Sequence, residues 1–173
     1  MSALLFGGEQ EAWADVSPCG RYRYRLGRRW DGGKTMLFVM LNPSTADAHQ
    51  DDPTIRRCIW FAKRDGCGAL EVVNLFALRA TDPAELLGAH EPIGGAKNYQ
   101  AIVAAAGCAS VVVAAWGSSV PRAHAAQPGR VFALLRAHGP GPVFALKVTA
   151  AGAPGHPLYL PASSPLVPFG GAS

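Results

Sequence analysis

The sequence predicts a three-layer α/β/α sandwich built on a mostly parallel central sheet. Three observations predict it. Short apolar runs recur along the chain, segments with helical spacing lie between them, and each run ends in a polar or Gly/Pro-rich loop.

The elements follow in order. Arg21, Arg23 and Arg25 alternate with Tyr22, Tyr24 and Leu26, and Arg28-Arg29-Trp30 follow. Period two predicts a half-exposed strand over residues 20–30, placed at the sheet edge where arginines discourage pairing with another chain. The same arginine row beside aromatics is also suited to gripping phosphates and stacking bases. Asp31-Gly32-Gly33 turns the chain into Thr35 to Leu41, an apolar run without charge that reads as a strand buried on both faces. Asn42-Pro43 ends it, because proline has no amide to give to a ladder.

Asp52-Pro53 has the form of a helix cap with proline at the first helical position. Ile55, Cys58, Ile59 and Ala62 form the apolar stripe of that helix, which ends near Gly66. Leu70 to Val73 predicts a second buried strand that delivers Asn74 at its carboxyl end. Asp82-Pro83-Ala84-Glu85 predicts a short capped helical turn. Lys97 to Cys108 predicts an alanine-rich helix, Val111 to Ala115 a third core strand ending in Trp116-Gly117, and Pro128 to His138 another helix with Val131, Leu134, Leu135 and His138 on one side. Val143 to Val148 predicts a fourth strand, followed by a Gly/Pro/Ser-rich remainder with GHPLYL at its centre. Right-handed crossovers put the helices on both faces of the sheet and gather the strand ends at one edge, where open α/β sheets bind ligands.

The totals fit one domain spanning residues 1–173, with a core over about 20–169. Only 16% of the 173 residues are charged and 49% are hydrophobic, which excludes a disordered chain. A formal charge of +4 is compatible with a phosphate-bearing partner and equally with a solvated surface. Cys19, Cys58, Cys67 and Cys108 form no CxxC pair, and Cys58 and Cys108 read as small buried hydrophobes. MSALLFGGEQEAW lacks the basic and long apolar regions of a leader, and no run reaches membrane-spanning length. A cytoplasmic setting without a membrane partner is therefore expected.

The candidate site residues lie at the strand ends. Asn42 can orient a water or read an amide-like edge, or can bond its own backbone. Ser44 and Thr45 offer hydroxyls to a ligand or to the loop. Asp47 and Asp51 are candidates for a general base or a magnesium ligand, but one loop falls short of the oxygen set a hard cation takes, and no metal or cofactor is expected. Asp52 reads first as the helix cap. Arg56, in the first helical turn, and Arg79 can each meet an anion. Asn74 can make two directional bonds to a base or amide, or brace its loop. Trp116 can stack on a planar ligand or simply pack, and Gly117 permits close backbone approach. His156, held between Gly155 and Pro157, can donate or carry charge near neutral pH.

Two resemblances follow from these residues. LNPSTAD at 41–47, DDPTIRRC at 51–58, VVNLFALRATDP at 72–83, AAWG at 114–117 and GHPLYL at 155–160 resemble the DUF1643 family over nearly the whole chain. More distantly, the chain is similar to the uracil-DNA glycosylase superfamily, whose members are three-layer α/β/α folds. Asn42-Pro43 resembles its first motif, which positions the attacking water. Asn74 resembles its base-reading asparagine, and His156-Pro157 its final histidine motif. Leu158 stands where that motif continues with serine, and no leucine wedge loop is recognisable.

That resemblance implies an N-glycosidic hydrolase with Asn42, Asp47 and His156 as the catalytic candidates. Pro43, Ser44, Thr45, Asp52, Arg56, Asn74, Arg79, Trp116 and Gly117 are the substrate-binding candidates. The missing wedge favours a nucleotide or modified nucleoside over duplex DNA. The alternative is a protein that binds a nucleotide or nucleic acid without cleaving it.

Overall fold

A computed structural model describes residues 10–170; the amino-terminal stretch read above for a leader lies largely outside them. The chain forms β1 (Glu11–Val16), β2 (Arg23–Arg29), β3 (Thr35–Met40), α1 (Pro53–Arg64), β4 (Ala69–Asn74), α2 (Glu85–Gly88), α3 (Gly95–Cys108), β5 (Val111–Ala114), α4 (Gln127–His138), β6 (Val143–Ala145) and β7 (Val167–Pro168). Short 3₁₀ turns lie at Arg122–His124 and Pro157–Tyr159. Among the described residues no helix is long and apolar enough to cross a membrane.

The seven strands make one mixed sheet in the order β1-β2-β4-β3-β5-β6-β7. The parallel run is confined to the four inner strands β4, β3, β5 and β6, and the pairings outside it are antiparallel. Every residue of β3 is buried, as an uncharged strand between two parallel partners requires. Its side chains alternate between two cores. Leu37 and Val39 pack with Ile102 and Ala106 of α3 and with Val131 and Leu135 of α4. Met36, Phe38 and Met40 pack with Ile55, Cys58 and Phe61 of α1. Helices therefore cover both faces. Burying Ile55 or Phe61 contributes roughly 1.5–3 kcal/mol each.

The arginine-rich segment departs from expectation. β2 is an inner strand, because β1 pairs along it from Glu11 opposite Arg29 to Val16 opposite Arg23 and occupies the edge itself. Arg23 and Arg28 are buried, whereas Arg25 is half-buried, pairs with Glu71 at 2.7 Å and lies over Trp13. The register shift between Asp15 and Val16 interrupts the period-two pattern that placed Arg23 with Arg25. Cys58 is buried as expected, but Cys108 is exposed, because the last turn of α3 has rotated it off the stripe formed by Ile102, Ala105 and Ala106. His138 shares the face of Val131 and Leu135 as expected but is exposed, being the last residue of α4.

Gly68 makes a tight crossing ahead of β4. Its carbonyl accepts the amides of Trp30 and Asp31, and a Cβ there would strike the main-chain oxygens of Gly32 and Asp31. Gly68→Ala is expected to cost about 1–3 kcal/mol, the range for overpacking against atoms that cannot yield. Urea denaturation checks this through a lower midpoint at unchanged slope.

Candidate functional site

The four parallel strands run β4-β3-β5-β6, so the chain leaves β3 to one side for β4 and then returns past it to β5. A sheet of this type binds ligands at the carboxyl ends on either side of such a reversal. A cleft of about 650 Å³ opens there, within the usual range for small-molecule sites. Asn42, Ser44, Thr45, Asp52, Asn74, Trp116, Gly117 and His156 all line it. Pro43, Asp47, Arg56 and Arg79 do not.

Those four are engaged elsewhere. Pro43 is buried, and its carbonyl accepts from Asn42 and from the amide of Ala80. One carboxylate oxygen of Asp47 accepts the amides of His49 and Gln50, which hold its pKa below the usual carboxylate value. Arg56 donates to the carbonyl of Asp51 at 2.7 Å on the exposed side of α1. Arg79 faces a separate shallow pocket with Gly20 and Arg21.

Asn42 follows β3 directly. Its Nδ2 donates to the carbonyls of Pro43 at 3.0 Å and Ala80 at 2.8 Å. Two carbonyl partners fix which end of the amide is nitrogen, so Oδ1 is the atom left to accept from a ligand or a water. The local-bonding and ligand-reading roles are thus divided between the two ends of one side chain. Neither the Ser44 nor the Thr45 hydroxyl makes a hydrogen bond within the described protein, so both remain open to the cleft. Asp52 caps α1 by accepting from Ile55 at 2.8 Å through Oδ1 and is the one carboxylate among the described residues lining the cleft.

Asn74 ends β4 and is 1% exposed, yet neither its Oδ1 nor its Nδ2 has a partner. A buried carboxamide left unpaired costs about 1–3 kcal/mol for each orphaned group. Its main chain, by contrast, is held firmly. Asn98 of α3 donates to the carbonyls of Asn74 at 3.1 Å and Leu75 at 3.4 Å, and Gln127 of α4 donates to Leu75 at 2.8 Å. Tyr99 donates to Gln127 Oε1 at 2.6 Å and so fixes that amide's orientation. Position is secured from the far face of the sheet while the side chain is left unpaired in the cleft.

Trp116 is buried and packs edge-to-face on Phe169, so its ring belongs to the core. Gly117 takes φ +73°, which only glycine adopts without strain, and donates to Pro154 at 2.9 Å. That turn lies against His156. Nδ1 of His156 accepts the amide of Leu158 at 3.2 Å, so the neutral ring carries its proton on Nε2. Burial holds the His156 pKa below the ordinary imidazole value, with the Asp52 charge opposing. Beyond it, Leu158 and the 80% exposed Tyr159 stand at the cleft mouth.

The sequence marked Arg23 only as one of an arginine row suited to phosphates, and did not mark Asn98, Gln127 or Lys147. Arg23 lines the cleft from β2, and Lys147 lines it just after β6. Asn98 shares the helical stripe of Ile102 and Ala105, and Gln127 that of Val131 and Leu135. A polar residue on a buried stripe was the signal available for both. Among the described residues no three His, Cys, Asp or Glu side chains gather to hold a metal ion.

Residues 23–158 match the family described as Protein of unknown function (DUF1643). The chain belongs to that family. The match starts at Arg23 and extends past His156, so the DUF1643 region contains the cleft's polar residues from Arg23 to His156. No curated protein and no solved structure gives a significant match.

The depressed pKa of His156 gives a stability prediction. Below 6.5 an unfolded chain takes up a proton that the folded imidazole resists, so stability present above that value is lost as pH falls through the folded pKa. Protonation also removes the acceptor for Leu158. The melting temperature of the wild type should fall more steeply from pH 7 to pH 5 than that of His156→Gln, as followed by calorimetry. Equal slopes would contradict the assignment.

Proposed function

We propose that the cleft hydrolyses the N-glycosidic bond of a nucleobase-bearing substrate. The observation that carries this is the buried, unpaired carboxamide of Asn74. It presents a donor and an acceptor side by side, which complements the amide-like edge of a base. Binding such an edge satisfies both orphaned atoms at once.

The remaining groups suit that reaction. Asn42 Oδ1 accepts from a water and aims its oxygen at the anomeric carbon. The water oxygen bonds to that carbon, the carbon–nitrogen bond breaks, and its electron pair leaves with the base. Nε2–H of His156 donates to the base carbonyl as negative charge gathers there. The proton shed by the water passes to Asp52, whose second oxygen is not used in the helix cap. This chemistry depends on fixed dipoles at the leaving base more than on a strong nucleophile. Asp47 has no part in it.

The order Asn42-Pro43, Asn74, His156-Pro157 and the helices on both faces of the sheet support a likeness to the uracil-DNA glycosylase superfamily. Leu158 after Pro157 departs from that superfamily's serine and favours a nucleotide or nucleoside. One observation favours recognition without cleavage: the cleft's one carboxylate already gives an oxygen to the α1 cap.

Mass spectrometry of free base released from nucleosides, nucleotides and single- and double-stranded oligonucleotides, ordinary and modified, tests the reading. Release is expected from at least one class, with Asn42→Ala and Asn74→Ala slowing it by about 10²–10³-fold, the usual cost of removing a transition-state hydrogen-bonding group. Tight binding without release would move the assignment to a recognition protein.

A further inference from the structure

Two buried arginines on β2 differ in a way that defines the ligand. Arg28 is 8% exposed and fully partnered. Its guanidinium pairs with Asp51 at 2.9 Å and donates to the carbonyls of Gly27 and Asp47. Arg23 is 2% exposed and has almost none of this. Nη1 donates to the carbonyl of Ala46 at 2.7 Å, Nε is buried without a partner, and no carboxylate forms an ion pair with it.

With Nη1 occupied, the unpartnered side of the guanidinium is the one bearing Nε and Nη2. Those two parallel N–H groups match the spacing of two oxygens in a carboxylate or phosphate. The Arg23 amide is bonded to the carbonyl of Ala77, which anchors this strand beside the chain leaving Asn74. The surrounding charges do not neutralise it. Asp52 and Asp47 act favourably from a distance, while Arg28 and Arg79 oppose them, and Lys147 adds a further cation to the cleft wall. Burial is strong enough to pull the Arg23 pKa down to about 10. A water can satisfy the two N–H groups but leaves the charge uncompensated; an anion does both.

We infer that Arg23 forms an oxyanion subsite in the cleft, so that the ligand is a small acidic molecule bound through a carboxylate or terminal phosphate beside the group read by Asn74. The pairing with a nucleobase rests on the proposed function; the anion subsite rests on Arg23 alone. A buried fork is reached by a terminal phosphate or by a carboxylate on the base. An internal phosphodiester would have to bring both flanking nucleotides up to the same buried fork.

Calorimetric titration of the full chain tests this. The probes are inorganic phosphate, benzoate, each ordinary nucleoside with its 5′-monophosphate, and uracil with orotate. The nucleoside pairs report a phosphate as the source of the anion, and the uracil–orotate pair a carboxylate. At least one acidic member should bind ten-fold or more tighter than its neutral partner. Arg23→Gln and Arg23→Lys should bring the acidic member down to the neutral level, whereas Asn74→Ala should weaken both members of the pair alike. If the Arg23 variants fail to fold, the wild type decides. Inorganic phosphate or benzoate at constant ionic strength should displace the acidic member and leave the neutral one bound.

Equal binding of acidic and neutral members, no binding by any acid, a preference that survives in both variants, or an acid that neither anion displaces would each overturn the subsite. Binding is read without turnover. A chain that prefers acids through Arg23 but releases no base keeps this subsite and loses the hydrolase.

Discussion

Strand β3 has no solvent-facing side, and the rest of the molecule follows from that constraint. Its six residues are buried between β4 and β5, so each face needs a helical cover. α1 supplies one, and α3 with α4 supplies the other. The connection after β3 leads to β4 on one side, and the connection after β4 passes back over β3 to β5 on the other. The gap between them cannot be closed by either connection, and it becomes the cleft. Asn42 and Asn74 stand in it because one follows β3 and the other ends β4, two adjacent buried strands.

Two kinds of buried polar group surround this cleft, and the contrast separates scaffold from site. Gln127 and Arg28 are matched at both ends or along the whole guanidinium, and together with the amide nitrogen of Asn98, whose own Oδ1 has no partner, they fix backbone. Asn74 and Arg23 are buried just as deeply but lack partners on the edges nearest the ligand space. A fold gains nothing from leaving such groups unpaired, since each costs stability that a hydrophobic residue would not. Asn98 and Gln127 hold the main chain behind the unpaired Asn74 side chain. The DUF1643 match spans both sets, which ties the scaffold and the cleft to one family unit.

Much of this was legible in the sequence. Short apolar runs located β3, β4 and β5 to within a residue or two, and the Asp52-Pro53 pair marked the start of α1, because local chemistry decides both. The strand ends likewise pointed to Asn42, Asn74, Gly117 and His156. Tertiary effects hid the rest. β1 lacks any apolar pattern because it is an exposed edge, and its pairing moved β2 inward. A register shift then buried Arg23, which no periodicity could show. Asp47 and Arg56 are typical site residues by type, but a two-amide turn and a neighbouring carbonyl hold them away from the cleft.

The central claim is that the Asn74 carboxamide awaits a ligand edge. Side-chain amide resonances in a ¹⁵N-labelled chain report on it directly, with Asn74→Asp identifying the signal. On addition of any nucleobase compound that binds, the two Asn74 amide protons should separate, one moving downfield as it gains an acceptor, while those of Asn98 and Gln127 stay in place. A compound that binds tightly and leaves the Asn74 signal unmoved would contradict the account.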